Sequence, residues 1–225
     1  MPPRGVLGRQ RLSQICLAAA FLSGAATAAA AHPHVWATVR SEIVFGPDQR
    51  ITGIRHAWTF DEFYTAMAIE GLDTDKDGAY SKEELAPLAK VNVESLKEFE
   101  YFTFVRRGAE EKPLPLKEPV DYWVEYDKTV LTLHFTLPLE SPLDAKAQEV
   151  AVDVYDPSFF VAFGFAPDAP VKIAGTAAPS CMAEVQKPDA ESDGEAKDLS
   201  EAFFSQLGPN SNFGSQFAQT MTVKC

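Results

Sequence analysis

The stretch Asp73-Thr74-Asp75-Lys76-Asp77-Gly78-Ala79-Tyr80-Ser81-Lys82-Glu83-Glu84 sets carboxylates at the first, third, fifth and twelfth places of a loop, with glycine at the sixth. Calcium takes roughly six to eight oxygens, and side chains in this order curl toward one centre. On that pattern Asp73, Asp75 and Asp77 give carboxylate oxygens and Ala79 its carbonyl. Ser81 gives an oxygen directly or through water, and Glu84 closes the shell with both carboxylate oxygens. Gly78 takes the sharp turn, and Tyr80 fills the apolar place that packs the loop on its surroundings. The expectation is one EF-hand loop holding Ca²⁺. An aspartate-rich turn without an ion is the plainer alternative, because Asp and Gly both favour loops.

Helical patterns can be written on both sides of the loop. Asp61 is placed to cap an entering helix whose Phe63, Ala66, Met67 and Ile69 recur at helical spacing. Beyond the loop, Leu85, Leu88, Val91, Leu96 and Phe99 continue such a pattern, and Pro87 falls close enough to the helix start to be tolerated. Residues 61–100 therefore read as a helical EF-hand insertion. Strands surround it. Val35, Ala37 and Val39 alternate with His34, Trp36, Thr38 and Arg40, and residues 51–60 return after a Gly-Pro turn. Residues 120–137 read as a second hairpin whose buried row is Leu131, Leu133, Phe135 and Leu137. Residues 101–105 are expected to begin β-structure again, shorter strands are predicted at 149–155, 171–173 and 217–225, and 159–165 reads as an aromatic-rich segment. The fold class expected is α+β, a β-sandwich-like domain carrying the helix–loop–helix.

Residues 1–31 carry Arg4, Arg9 and Arg11, no acid, and an apolar run ending in an alanine tract. That is the pattern of a signal peptide cleaved before His32, with no retained membrane anchor, leaving one β-rich domain at 32–225. Cleavage takes the net charge from −12 to −15, since three arginines leave and no acid does. So acidic an exported chain is unsuited to nucleic acid. The expected location is the periplasm or outside the cell, where Cys181 and Cys225 should pair. Residues 184–201 are acidic and turn-rich and read as a flexible loop, with a short helix conceivable at 198–204.

Cleavage before His32 would expose His32-Pro33-His34, whose amine and imidazole nitrogens suit Zn, Cu, Ni or Co. His56 shares parity with Trp58 and Phe60 and reads as packed beside aromatics, and His134 reads as a solvated strand position. Asp61-Glu62 reads as a helix cap rather than an acid–base pair. No phosphate loop or nucleophile elbow is present, and nothing points to an enzyme.

The segments His32-Pro33-His34-Val35-Trp36, Trp58-Thr59-Phe60-Asp61-Glu62-Phe63, Phe99-Glu100-Tyr101-Phe102-Thr103 and Tyr155-Asp156-Pro157-Ser158-Phe159-Phe160, with the final Cys225, carry a resemblance. The chain resembles bacterial periplasmic proteins filed as a domain of unknown function and labelled the periplasmic component of an uncharacterised ABC-type transport system. That resemblance implies an accessory to transition-metal transport or homeostasis, with a membrane metal transporter of the nickel/cobalt type as partner. Three functions follow as expectations. The first is a periplasmic calcium-binding accessory whose His32 and His34 hold a second metal. The second is a copper carrier or enzyme built on an amino-terminal histidine brace, drawing on His34, His56 or His134. The third is a structural interaction module that calcium only stabilises.

Overall fold

The first strand, β1 (Val35–Phe45), alternates buried and outward residues along its first half, and β2 (Ile51–Phe60) runs back antiparallel to it. The turn between them closes with the Gly46 N–H donating to the Arg50 carbonyl at 2.8 Å. The computed structural model describes residues 33–108, 110–186 and 211–225, and these form an α+β architecture of two sheets and two helices.

The first sheet runs in the order β4 (Val120–Asp127), β5 (Val130–Leu143), β2, β1 and β7 (Val161–Phe165). β8 (Val171–Gly175) shares the β1 edge with β7: Val35–Val39 pairs with β7 and Ser41–Phe45 with β8, both in parallel. The second sheet is antiparallel, in the order β3 (Thr103–Arg107), β6 (Val150–Val154), β10 (Gln219–Lys224) and β9 (Met182–Gln186). Period-two patterning dictates which side chains turn inward. Val39, Ile43, Ile54, Trp58 and Phe135 of the first sheet join Val105, Val152 and Met221 of the second in one buried cluster. The predicted row Leu131, Leu133, Phe135 and Leu137 is buried as its alternation requires. The predicted disulfide joins Cys181 to Cys225 and ties the residue before β9 to the end of β10.

Between β2 and β3 lie α1 (Glu62–Ala68) and α2 (Lys82–Leu96). Asp61 caps α1 as expected: its Oδ1 accepts the Tyr64 N–H at 2.9 Å, and its Oδ2 accepts the Trp36 N–H at 2.9 Å. The buried faces differ from the sequence expectation. In α1 the buried residue is Thr65, whose hydroxyl accepts the Leu131 N–H at 3.0 Å, while Phe63, Ala66 and Met67 face outward. In α2 the buried residues are Leu85, Ala89 and Val93, while Leu88 is half-buried and Val91 exposed. A hydroxyl that satisfies the open end of a strand fixes α1 more strongly than its apolar spacing does.

The helical run does not pass straight into a strand at Tyr101. A 3-10 turn at Lys97–Phe102 contains three successive residues with left-handed φ: Glu100 at 52°, Tyr101 at 55° and Phe102 at 48°. Such a conformation costs about 1–2 kcal/mol per non-glycine residue, and here the burial of Tyr101 and Phe102 offsets it. β3 then begins at Thr103. The acidic loop also needs correcting: Glu184–Gln186 belong to β9, paired to Thr220–Thr222 of β10, because their alternation completes a sheet edge. Residues 187–201, the 198–204 helix, His32, and the signal segment with its cleavage site lie outside the described residues. Among the described residues no helix is long and apolar enough to cross a membrane.

Candidate metal centre

The loop between the helices draws its acids inward. Asp73, Asp75 and Glu84 have carboxylate oxygens all within 4.8 Å of one another, the one such group of three His, Cys, Asp or Glu among the described residues. Backbone donors shape the ring. Gly78 N–H donates to Asp73 Oδ2 at 3.1 Å, Asp77 N–H to Asp75 Oδ1 at 3.1 Å, and Ala79 N–H to Asp77 Oδ1 at 2.7 Å. Gly78 sits at φ +81°, where a side chain would be strained, so the glycine at the sixth loop place is a backbone requirement.

Glu84 has two roles. It is the third residue of α2 and forms a reciprocal capping box with Ser81: its Oε2 accepts the Ser81 N–H at 3.0 Å while the Ser81 hydroxyl accepts the Glu84 N–H at 3.2 Å. Its Oε1 accepts both the Thr74 N–H at 2.7 Å and the Thr74 hydroxyl at 2.8 Å. The Ser81 backbone leads these hydrogen bonds in holding the Glu84 carboxyl down to about 2, so it stays ionised. Thr74, at the second loop place, was not among the predicted site residues. A side chain there that reaches the twelfth place has no signature in the loop spacing.

Asp73 is the informative member. Its Oδ1 is buried and has no hydrogen-bond partner, although its other oxygen is bonded to Gly78. A buried carboxylate oxygen without a donor is costly. The donor set is all oxygen, which suits a hard cation such as calcium rather than zinc or copper. Of the predicted ligands, Asp73, Asp75 and Glu84 converge. Asp77 lies outside that group, and the Ser81 hydroxyl donates to Glu84 Oε2 at 2.9 Å.

The loop is fastened to the β4–β5 hairpin. Tyr80 meets Tyr126 edge-on at 4.9 Å, and the Lys82 ammonium lies 5.8 Å from the centre of the Trp123 ring. At the helix end, the Thr129 hydroxyl donates to Glu62 Oε1 at 2.7 Å. Tyr80 thus packs the loop as its position predicts.

The histidines do not gather. His56 is buried on the core face of β2, while His134 pairs with Ala57 and therefore occupies the opposite face of the same sheet. His134 is not simply solvated, as its alternation suggested: it bonds Glu125 Oε1 at 2.9 Å and stacks on Trp123 at 4.4 Å. His34 lies before β1 with its ring 4.6 Å from Phe160. His32 falls outside the described residues.

The whole of the sheet framework and the loop lies within residues 17–225, which match the family described as "Protein of unknown function (DUF1007)". The chain belongs to that family. An uncharacterized protein of Haemophilus influenzae is 23% identical over 195 residues, covering 87% of this chain and 91% of the relative. A protein of Spirochaeta aurantia described as an "Uncharacterized 15.5 kDa protein in trpE 3'region" is 33% identical over 101 residues, covering 45% of this chain and 70% of that relative.

In this DUF1007 chain His56 joins the two sheets. The Thr103 hydroxyl donates to the Tyr101 carbonyl at 2.9 Å, so at 3.3 Å it accepts from His56 Nε2–H. The Nδ1 atom then accepts from the Ser41 hydroxyl at 2.8 Å. Both ring nitrogens are used, the ring is neutral, and no lone pair is left for a metal. Burial lowers its pKa from 6.5 to about 3. The unfolded chain takes up this proton near pH 6.5 while the folded chain does not, so acid favours unfolding across that window. Stability contributed by the neutral ring is complete above pH 6.5 and is lost as pH falls, by about 1.4 kcal/mol per unit. Urea unfolding at pH 7 and pH 5 should show that loss, and His56→Gln should flatten it. An equal pH slope in the variant would assign the effect to other groups.

Proposed function

We propose that this protein is an extracytoplasmic calcium-binding protein whose Asp73–Glu84 loop is an EF-hand, acting as an accessory to transition-metal transport. The single observation that carries the calcium reading is the buried, unpartnered Asp73 Oδ1 beside the oxygens of Asp75 and Glu84. Asp73, Asp75, Asp77, Glu84, the Ala79 carbonyl and Ser81 would hold the ion, which supplies the positive charge that this group of acids lacks. One feature departs from a continuous entering helix: α1 stops at Ala68, and the chain turns through Gly71 at φ +78° before Asp73. The periplasmic location is supported by the amino-terminal segment and by the Cys181–Cys225 disulfide, which suits an oxidising compartment.

Calcium here acts as a clasp. Thr65, Glu62, Tyr80 and Lys82 fix both helices and the loop to β4 and β5, so the ion stabilises an arrangement already anchored at both ends. Isothermal titration of the purified protein with Ca²⁺ should give one site at roughly 10⁻⁴ to 10⁻³ M, as for extracellular modules. Glu84→Gln keeps the capping box but removes a charged ligand, and the heat should vanish. No heat in the wild type, or equal heat in the variant, refutes the reading. The transport half rests on the resemblance and on a second metal at His32 and His34. A deletion strain should change its tolerance to nickel or cobalt, and unchanged tolerance removes that half.

A further inference from the structure

Among the described residues, four exposed large apolar side chains lie on the outside of the two helices and the turn that follows them. Because α2 turns Leu85, Ala89 and Val93 inward and α1 seats Thr65 on β5, the opposite faces are left to solvent. Phe63 is 70% exposed, Met67 56%, Val91 54% and Phe99 50%. Between the helices Tyr64, Met67, Leu88, Val91, Asn92 and Ser95 line a groove of about 320 Å³. Its floor is held by the Tyr64 hydroxyl donating to Asn92 Oδ1 at 3.3 Å and by Asn92 Nδ2 donating to the Leu88 carbonyl at 2.9 Å. Large apolar side chains gathered on a polar-rimmed surface mark an interaction site.

Charge decides what fits there. Outside the loop, residues 61–72 and 85–100 hold six acids and two bases. Both bases are already engaged: Lys90 with Glu94 at 3.8 Å and Lys97 with Glu118 at 2.6 Å. The helical surface away from the loop is therefore anionic. It repels a second copy of this acidic chain and repels anionic lipid, and it attracts a cationic surface. We infer that this groove docks a cationic amphipathic helix of a protein partner, with apolar side chains at helical spacing entering between Met67 and Val91. The inference does not rest on the calcium reading, since no residue of the groove belongs to the loop.

The test uses the purified protein and a fluorescein-labelled peptide of leucine and lysine, about 18 residues long, with its leucines on one helical face. Fluorescence anisotropy should give micromolar binding, and a leucine/glutamate counterpart should bind at least about tenfold more weakly. Met67→Glu with Val91→Glu should weaken the leucine/lysine peptide by roughly tenfold or more, although both changes add negative charge that would strengthen a purely electrostatic attraction. The neutral pair Met67→Gln and Val91→Gln should weaken it as well, with circular dichroism matching the wild type. The inference is overturned if the variants bind as tightly as wild type or if the glutamate peptide binds equally. It is also overturned if the groove variants abolish self-association seen by sedimentation, or if the wild type binds phosphatidylglycerol vesicles. In Glu84→Gln protein the peptide should still bind while the calcium heat is lost, which separates this inference from the proposed function.

Discussion

Removing the Cys181–Cys225 disulfide, by dithiothreitol or by Cys181→Ser with Cys225→Ser, is expected to lower the unfolding free energy by about 4 kcal/mol. The two cysteines are 44 residues apart. A cross-link of that reach removes much of the freedom of the unfolded chain, and the size of the effect follows from loop length. It also acts where the fold is thin. β9 is the edge of the second sheet and has β10 as its paired neighbour, so the bond holds an edge strand to the strand beside it. For a chain of this size the loss corresponds to a melting temperature lower by roughly 8–16 °C. Urea unfolding with and without reductant measures it. A loss below about 1 kcal/mol would mean that the sheet edge holds without its staple.

Trp58→Ala is expected to cost about 3–5 kcal/mol, with the indole at the centre of the shared core. Trp58 is 1% exposed and meets Phe135 edge-on at 4.8 Å and Phe163 at 4.7 Å. Its truncation leaves a cavity where β2, β5 and β7 meet. Trp58→Phe should cost far less, because the indole N–H is buried with no partner and its removal relieves an unsatisfied donor while most of the ring volume remains. Denaturant midpoints for the two variants provide the comparison. Equal damage from Phe and Ala would show that shape, not volume and polarity, governs this position.

The parts of the fold that were legible in the sequence are those written in short-range pattern. The β1–β2 and β4–β5 hairpins have clean alternation and adjacent turns, and the Asp73–Glu84 loop has fixed spacing. What was not legible depends on distant partners. β7 and β8 are five-residue strands, and nothing in either indicates that they lie end to end along the same edge of β1, in parallel. The faces of the helices misled because α1 is docked by the hydroxyl of Thr65 and not by Phe63 or Met67. Reading Met67 as core concealed the groove it lines. At the candidate metal centre the spacing pointed to Asp73, Asp75, Asp77, Ala79, Ser81 and Glu84, of which Asp73, Asp75 and Glu84 converge, but not to Thr74, whose side chain reaches across the loop to Glu84. The left-handed turn at Glu100–Phe102 carries no glycine that would have announced it.

Crystals grown with calcium, with anomalous data collected at long wavelength, address the central claim most directly. The account predicts one anomalous peak inside the loop, with an oxygen from each of Asp73, Asp75 and Glu84 at roughly 2.3–2.6 Å from it. Saturating calcium with no peak there, or with the peak at another site, would contradict it.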